Sequence, residues 1–138
     1  MKKITKIVTV ATVFLLIFSG CEKKVNYHQD RYIGNWDFVT RIEHYGTDYV
    51  LISCDTIYYL GTITCGESEN RLKIQFTESL YTNVIIDEHG NIYTICPKSN
   101  CKTGNFEGNN KVSFKIINTG PGTIYHIAGT KREEANNE

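Results

Sequence analysis

Apolar and polar residues alternate one by one in several short stretches of this 138-residue sequence. The segment 71–77 (RLKIQFT) alternates in this way, and so does the segment 111–116 (KVSFKI). A period of two places every apolar residue of an extended strand on the same face. Beyond residue 20, no window shows the spacing of three and four residues that an amphipathic helix requires. The alternation therefore predicts an all-β fold.

Residues that favour tight turns separate these stretches. Gly90 and Gly108 stand between alternating segments and supply the positive φ that short hairpin turns need. The breaks predict nine short strands, at 34–45, 49–53, 56–65, 71–77, 82–87, 91–96, 102–107, 111–118 and 123–131. Strands joined by short turns pair with their neighbours in sequence, and closure of the sheet removes its exposed edges. We expect an antiparallel up-and-down meander of 8–9 strands that forms a small barrel or a barrel-like sandwich.

The inward positions of such a barrel form its expected core. The residues predicted to fill it are Trp36, Phe38, Leu60, Leu72, Ile74, Phe76, Ile86, Phe106, Val112, Phe114 and Ile116. A barrel of about eight strands is just wide enough for side chains to fill or for one small ligand. Because several of these side chains are large, we expect a filled interior.

The first twenty residues differ in kind from the rest. Three lysines and no acidic residue occupy positions 1–6, and an apolar run (IVTVATVFLLIF) follows at 7–18. A membrane-spanning helix needs about 20 apolar residues, which is more than this run provides. A basic start, a short apolar run and small residues after it are typical of a secretory signal peptide. We therefore predict that residues 1–20 are a signal peptide.

The signal ends at Phe18-Ser19-Gly20-Cys21, which resembles the bacterial lipobox. In that motif a diacylglyceryl group is attached to the cysteine, and cleavage frees the cysteine as the new N-terminus. Phe18 stands where most lipoboxes have leucine. Several acyl chains, such as palmitate, hold a protein firmly at a bilayer, because each buried CH₂ contributes about 0.8 kcal/mol. The resemblance implies that Cys21 is lipidated and anchors the protein to a membrane.

Four further cysteines follow: Cys54, Cys65, Cys96 and Cys101. An even number of cysteines in an exported chain favours disulfides, because the compartment is oxidising. Of the three possible pairings, local spacing favours Cys54–Cys65 across a strand pair and Cys96–Cys101 around a short loop. A four-thiolate zinc site is the alternative, but such sites usually contain C-x₂-C pairs, which these spacings lack. We therefore expect disulfides and no metal site.

Gly34-Asn35-Trp36 opens the first predicted strand and resembles the G-x-W motif of lipocalins. In that family the tryptophan closes one end of the barrel against a basic residue that follows the last strand. Arg132 holds the matching position here, so the resemblance implies a contact of Trp36 with Arg132, worth roughly 0.5–2 kcal/mol if the cation lies over the indole. Residues 32–132 are similar to small lipocalin-like lipoproteins of Gram-negative bacteria. The resemblance implies a barrel but no activity, because a shared fold does not establish a shared ligand.

Residues with catalytic potential are scattered along the chain. The four histidines show no metal-ligand spacing: His28, His44, His89 and His126. The sequence contains no nucleophile elbow, zinc-protease motif or phosphate-binding loop. Three carboxylates could act as a pair only where the fold brings them together: Glu43, Asp55 and Glu78. We therefore predict no catalytic residues, no cofactor and no enzymatic activity.

Charge and aromatic content bear on the class of partner. The 15 Lys+Arg balance the 15 Asp+Glu, and the chain after residue 20 has a net charge of −3. This balance provides no basic face for nucleic acid. Nine tyrosines suit half-buried strands, but tyrosine also provides large rigid contact area at binding surfaces.

These features predict four segments: a signal peptide at 1–20, the lipidated cysteine and a tether at 21–31, a lipocalin-like β-domain at 32–132 and a disordered tail at 133–138. We expect a non-enzymatic binding or assembly module, lipid-anchored in the bacterial cell envelope at the outer membrane, on a face that the sequence leaves undecided. One alternative is a lipocalin-type carrier of a small apolar ligand, which requires an internal cavity of about 300 Å³ or more. Another is an envelope hydrolase, which requires a cleft with titratable groups of perturbed pKa.

Overall fold

Eight antiparallel strands close into a barrel in the computed structural model, which describes residues 28–96, 99–118 and 122–134. A 3₁₀ helix, His28–Tyr32, precedes them. The strands are β1 (Gly34–Tyr45), β2 (Leu51–Cys65), β3 (Arg71–Gln75), β4 (Tyr81–Ile86), β5 (Asn91–Cys96), β6 (Ser99–Glu107), β7 (Lys111–Asn118) and β8 (Thr123–Lys131). Each strand pairs with its neighbours in sequence, and β8 pairs with β1 to close the barrel. The predicted all-β meander is confirmed.

The described residues include most of the predicted β-domain at 32–132 and the first two residues of the predicted tail, so the rest of the tail, 135–138, lies outside them. The signal peptide at 1–20 and the lipidation site at Cys21 lie outside them, as does most of the tether. The last residues of the tether, from His28 onward, form the 3₁₀ helix, in which Gln29 and Tyr32 are buried. No helix within the described ranges has the length and hydropathy of a membrane span.

The long strand β2 replaces two predicted strands. The sequence predicts a break near Cys54 and Asp55, but both residues stay in register with β1, opposite Glu43 and Ile42. No glycine or proline interrupts the chain from Leu51 to Leu60, and the twelve-residue β1 provides a partner along this whole length. Eight strands therefore form where nine were counted.

The barrel interior contains most of the predicted core. Nine of the predicted residues are buried: Trp36, Phe38, Leu72, Ile74, Phe76, Ile86, Phe106, Val112 and Phe114. Ile116 is partly buried and packs against them. Leu60 was assigned wrongly, because it lies opposite Asp37 on the outer face and is 51% exposed. Core residues that the alternation did not identify are Tyr32, Ile63, Val84, Ile92 and Ile127.

The 3₁₀ helix closes the end of the barrel at which β1 begins. The buried Trp36 indole donates a hydrogen bond to the Tyr32 carbonyl oxygen at 2.9 Å. The Tyr32 ring stacks on Phe106 with 3.8 Å between the centroids, and Trp36 meets Phe106 edge-on at 5.9 Å. This end of the barrel is thus filled by aromatic rings.

Asp87 organises the turn between β4 and β5. One carboxylate oxygen accepts the backbone N–H groups of His89 and Asn91, at 3.0 and 2.8 Å. The other accepts the Asn91 side-chain amide at 2.8 Å and the Tyr93 hydroxyl at 3.1 Å. Burial acts to raise the pKa of Asp87, but the four hydrogen bonds together outweigh it and lower the pKa from 3.8 to about 2.

Replacing Asp87 by asparagine is expected to destabilise the barrel at neutral pH by about 1–2 kcal/mol, because the charged acceptor is lost. The folded pKa of Asp87 lies below its ordinary value of 3.8. Its contribution is therefore present above about pH 4 and lost as the pH falls through 2. Chemical denaturation between pH 2 and 7 should show that Asp87→Asn is less pH-dependent in this window than wild type. Glu88→Gln on the same turn is the control, and an unchanged acid dependence in Asp87→Asn would contradict the assignment.

Candidate functional site

The β1–β2 hairpin extends beyond the rest of the barrel wall. The two strands stay paired from Gly34 opposite Ile63 to Tyr45 opposite Leu51. On its other side, β2 pairs with β3 only at Thr62–Cys65. The stretch 51–61 of β2 therefore has a strand neighbour on one side only within the described chain. Every residue from 51 to 58 is exposed.

The exposed part of this hairpin is unusually apolar. We call its large exposed apolar side chains the hairpin surface: Tyr49, Val50, Leu51, Ile52, Ile57, Tyr58 and Leu60. Tyr49, Tyr58 and Ile52 are 88%, 77% and 72% exposed. Val39 adjoins this surface, because it faces Tyr58 across the β1–β2 ladder. Contiguous exposed apolar residues, unlike single ones, mark an interaction site.

The sequence itself carries a signal for the hairpin surface that strict alternation of apolar and polar residues does not reveal. The segment LISCDTIYYL has apolar residues at both odd and even positions, with Asp55 as its one charge. A strand that is apolar on both faces has to be covered on both faces. In this barrel nothing within the described residues covers its outer face or its free edge.

A cluster of four polar side chains lies beside the hairpin surface, on β1 and β8. Arg41 Nη2 is 2.6 Å from Glu43 Oε1, and the Tyr45 hydroxyl donates to Glu43 Oε2 at 2.9 Å. His126 Nε2 lies 3.0 Å from the same oxygen, so the Glu43 cluster joins the two strands. The Glu43 side chain is only 10% exposed, and these three partners satisfy it.

Within the Glu43 cluster, the pKa values of Glu43 and Tyr45 are shifted away from neutrality. The hydrogen bond with His126, followed by that from Tyr45, lowers the pKa of Glu43. The bond to Glu43 raises the pKa of Tyr45. In the Asp87 turn, the bond to Asp87 likewise raises the pKa of Tyr93. General acid–base catalysis needs a group with a pKa near the working pH. The shifts at Glu43, Tyr45 and Tyr93 each move the pKa of that residue further from neutrality.

The histidines and carboxylates that the sequence analysis singled out are only partly brought together. Glu43 meets His126, as described above, and His44 Nε2 lies 3.7 Å from Asp55 Oδ2 at the exposed end of the hairpin. Glu78 contributes its backbone oxygen, not its carboxylate, to a bond from Gln75. No group of three or more His, Cys, Asp or Glu side chains within the described ranges could hold a metal ion.

The predicted Cys54–Cys65 disulfide is wrong. Both cysteines are exposed free thiols on the single strand β2, where the sequence analysis assumed two paired strands. Eleven residues of strand separate their Cα atoms by about 36 Å, whereas a disulfide needs roughly 7 Å or less. The pair Cys96–Cys101 stays a prediction, because the Cys96 side chain lies outside the described residues.

The inferred contact between Trp36 and Arg132 is not made. Arg132 Nε lies 2.9 and 3.0 Å from the Asp37 carboxylate oxygens, and Nη2 lies 2.9 Å from one of them. The cation–ring contacts within the described residues involve Tyr32 and Tyr81 instead. Neighbouring residues on a strand point to opposite faces, so a side chain bound to Asp37 outside does not reach the indole inside.

The clefts that can be described lie on the outside of the barrel. One of about 480 Å³ runs over β1, β8 and β7 and is lined by Arg41, Lys115 and His126 among others. Another, of about 690 Å³, lies at the closed end between Arg31 and Glu134. Both are open clefts on the outer surface that carry charged side chains, whereas a carrier holds a small apolar ligand in an enclosed cavity.

Thr40 is the one buried side chain of the described residues whose polar atom has no hydrogen-bond partner. It is fully buried on β1, between Ile57 and Ile127 of the adjacent strands. Because an unpaired buried hydroxyl is costly, Thr40→Val, which has the same shape, should raise the free energy of unfolding by about 1 kcal/mol. Urea denaturation tests this, with Thr56→Val on the exposed hairpin as the control. A loss of stability in Thr40→Val would show that the hydroxyl has a partner.

Comparison of the sequence with known protein families and curated proteins, and of the fold with solved structures, finds no match.

Proposed function

We propose that this protein is a lipid-anchored, non-enzymatic binding module of a bacterial cell envelope, and that it binds another protein through the hairpin surface. The observation that carries the proposal is the exposure of large apolar side chains along one hairpin. Tyrosine is enriched among the few residues that contribute most of the binding energy at protein interfaces, and buried aliphatic side chains add the hydrophobic term. The partner has a complementary apolar surface with little charge, because the hairpin segment 49–61 carries only Asp55.

The packed core at the closed end of the barrel favours this function over that of a carrier. Side chains from the strands and the 3₁₀ helix occupy this end of the barrel, where the Phe106 ring contacts the rings of Tyr32 and Trp36. An enzymatic role has less support, because the shifted pKa values of the Glu43 cluster and the Asp87 turn lie away from neutrality. A binding role for the outer face of the hairpin needs neither an internal cavity nor a group with a pKa near neutrality.

The geometry of the barrel suits an anchored protein. The described chain starts at His28, beside the closed end, seven residues after the predicted lipidation site at Cys21. β1 then runs for twelve residues, about 40 Å, away from that end. The tip of the hairpin thus points away from the anchor, and the hairpin surface is directed from the membrane toward a partner.

Replacing Cys21 by alanine tests the anchor. In a Gram-negative host, wild type should fractionate with membranes and label with a radioactive or alkyne-bearing palmitate, and Cys21→Ala should do neither. Cys54→Ala, which removes an exposed thiol from the barrel, is the matched control and should behave as wild type. Membrane association and labelling of Cys21→Ala would contradict lipidation at this residue.

Site-specific photo-crosslinking tests the binding face. A photoreactive amino acid at Tyr58 should give defined protein adducts in the cell envelope, and Ile52→Lys in the same chain should abolish them. The same probe at Lys102, an exposed residue on β6 across the barrel, should give none. Absence of adducts at Tyr58, or equal adducts at both positions, would refute the proposed binding face.

A further inference from the structure

The outer cleft over β1, β8 and β7 lies where β6 separates from β7. These two strands pair from Glu107 to Gly104, which lies opposite Phe114, and the described residues show no pairing between them beyond that point. At Gly104 the strands are in close contact, because a Cβ there would lie 2.1 Å from the Ser113 carbonyl oxygen. The next residue of β7, Lys115, has no described strand beside it on the β6 side. The opening of about 480 Å³ falls within the size range of small-molecule sites.

The strand register brings three basic side chains to this cleft. Arg41 on β1 lies opposite His126 on β8, which in turn lies opposite Lys115 on β7. Because neighbouring strands are about 4.8 Å apart, the row spans about 10 Å. All three side chains line the cleft, and none of its described lining residues is acidic. The cleft is therefore positively charged.

Two of these basic groups keep donors that no described residue uses. Arg41 contacts Glu43 through Nη2 and the Cys54 sulfur through Nε. A guanidinium has five N–H groups, so those on Nη1 remain for a ligand. The Lys115 ammonium makes no hydrogen bond or ion pair with another described residue. The Glu43 carboxylate is only 10% exposed and is satisfied within its own cluster, so it does not occupy the cleft.

Other clefts on the described surface have mixed charge. The cleft next to this one along the same face, of about 260 Å³, is lined by Asp37 and Glu107 as well as Lys111. The cleft at the closed end carries Glu134 together with Arg31. Carboxylates in a cleft repel an anion and compete for its cationic partners. The cleft at the separation of β6 from β7 is free of this competition.

The floor of the cleft beside the basic row is small and largely uncharged. Val39 lies opposite Ala128, and Ala128 lies opposite Ser113, which places these residues in a second row across the same three strands. All three are exposed and line the cleft. The short side chains of Ala128 and Ser113 leave depth, and Val39 provides an apolar wall. A ligand that fits has an anionic head at the basic row and a short uncharged body on this floor.

We infer that this cleft binds a small organic anion, with a phosphate or carboxylate group at Arg41 and Lys115 and a short apolar body over Val39 and Ala128. Arginine and lysine bind both kinds of oxyanion through charge-assisted hydrogen bonds. The site is separate from the proposed binding face, because no residue of the hairpin surface lines the cleft. The inference therefore goes beyond the proposed function and does not depend on it.

NMR titration of the detergent-extracted full-length protein with butyl phosphate tests the site. The amide signals of Ser113 and Ala128 should shift saturably, and butanol at the same concentrations should not shift them. Inorganic phosphate should shift the same signals with weaker affinity, because it lacks the apolar body. Butyrate has a similar short alkyl body, so the tighter binder of butyrate and butyl phosphate identifies the preferred head group. Absence of saturable shifts with both, equal shifts with butanol, or equal affinity for inorganic phosphate would overturn the inference.

Substitutions in the cleft locate the anion. Lys115→Gln should weaken butyl phosphate binding about fivefold, because the cation without a partner is lost. Lys111→Gln is the matched control, since Lys111 is exposed on the same face of β7 but lines the neighbouring cleft. It should change the affinity by less than about twofold. Ala128→Leu should also weaken binding, at unchanged charge, because it fills the floor. Equal losses in the two lysine variants, or full affinity in Ala128→Leu, would overturn the inference.

Discussion

Replacing Gly61 by alanine is expected to destabilise the barrel by about 3–5 kcal/mol, enough to unfold much of the protein at physiological temperature. A Cβ atom at Gly61 would lie 1.9 Å from the Gln75 carbonyl oxygen and 2.8 Å from the Phe38 ring. The oxygen belongs to the backbone of β3, so no rotamer change relieves the overlap. Gly61 lies next to Thr62, the first residue of β2 that pairs with β3, and the close approach of β3 leaves no room for a side chain at Gly61.

Thermal unfolding followed by circular dichroism measures this effect. For a domain of about 100 residues, a loss of 3–5 kcal/mol lowers Tm by roughly 15–30 °C. Gly108→Ala is the matched control, because Gly108 has a φ of +59° but a Cβ there would be 3.9 Å from its nearest neighbour. That variant should lose only about 1 kcal/mol. Equal losses in the two variants would show that β3 does not approach Gly61 as described.

Replacing Trp36 by alanine is expected to lower the free energy of unfolding by about 3–5 kcal/mol, because it removes a fully buried indole from the closed end of the barrel. The variant also leaves the Tyr32 carbonyl oxygen without its donor and removes the edge contact with Phe106. Trp36→Phe retains a ring but not the N–H group, so we expect an intermediate loss of about 1–3 kcal/mol.

Leu60→Ala is the informative control for the tryptophan variants. Alternation assigned both residues to the core, whereas the structure places Leu60 outside at 51% exposure. At protein concentrations low enough to exclude self-association, Leu60→Ala should change the free energy of unfolding by less than about 0.5 kcal/mol. Urea denaturation of the three variants gives this ranking directly. A loss at Leu60 comparable with that at Trp36 would contradict the register of β2.

The short strands were predictable because each carries its own signal. In β3 and β7, apolar side chains recur at every second position, and both strands were found within one or two residues of their predicted ends. The turns at Gly90 and Gly108 were equally local, and both glycines have the positive φ expected of them. Since consecutive short strands pair with their neighbours, the meander followed from the strands.

Prediction was poorer where a side chain depends on a distant part of the chain. Cys54 and Cys65 looked close because a turn was assumed between them, but a twelve-residue β1 keeps β2 extended. Arg132 was matched to Trp36 because it follows the last strand. Its side chain lies on the outer face of the barrel, however, where it binds Asp37 and not the indole inside. In both cases the residue was identified and its partner was not.

The sequence by itself determined that the chain is built of antiparallel strands, where most of them begin and end, and which large side chains fill the barrel. Alternation and turn residues act over a few positions, so short stretches of sequence are enough to determine these properties. The tertiary structure decided that Glu43 and His126, 83 residues apart, share a hydrogen bond. It also decided that the stretch 51–61 of β2 pairs with no described strand other than β1. These properties depend on relative strand lengths and on the stagger at which the barrel closes, and no local stretch of sequence encodes either.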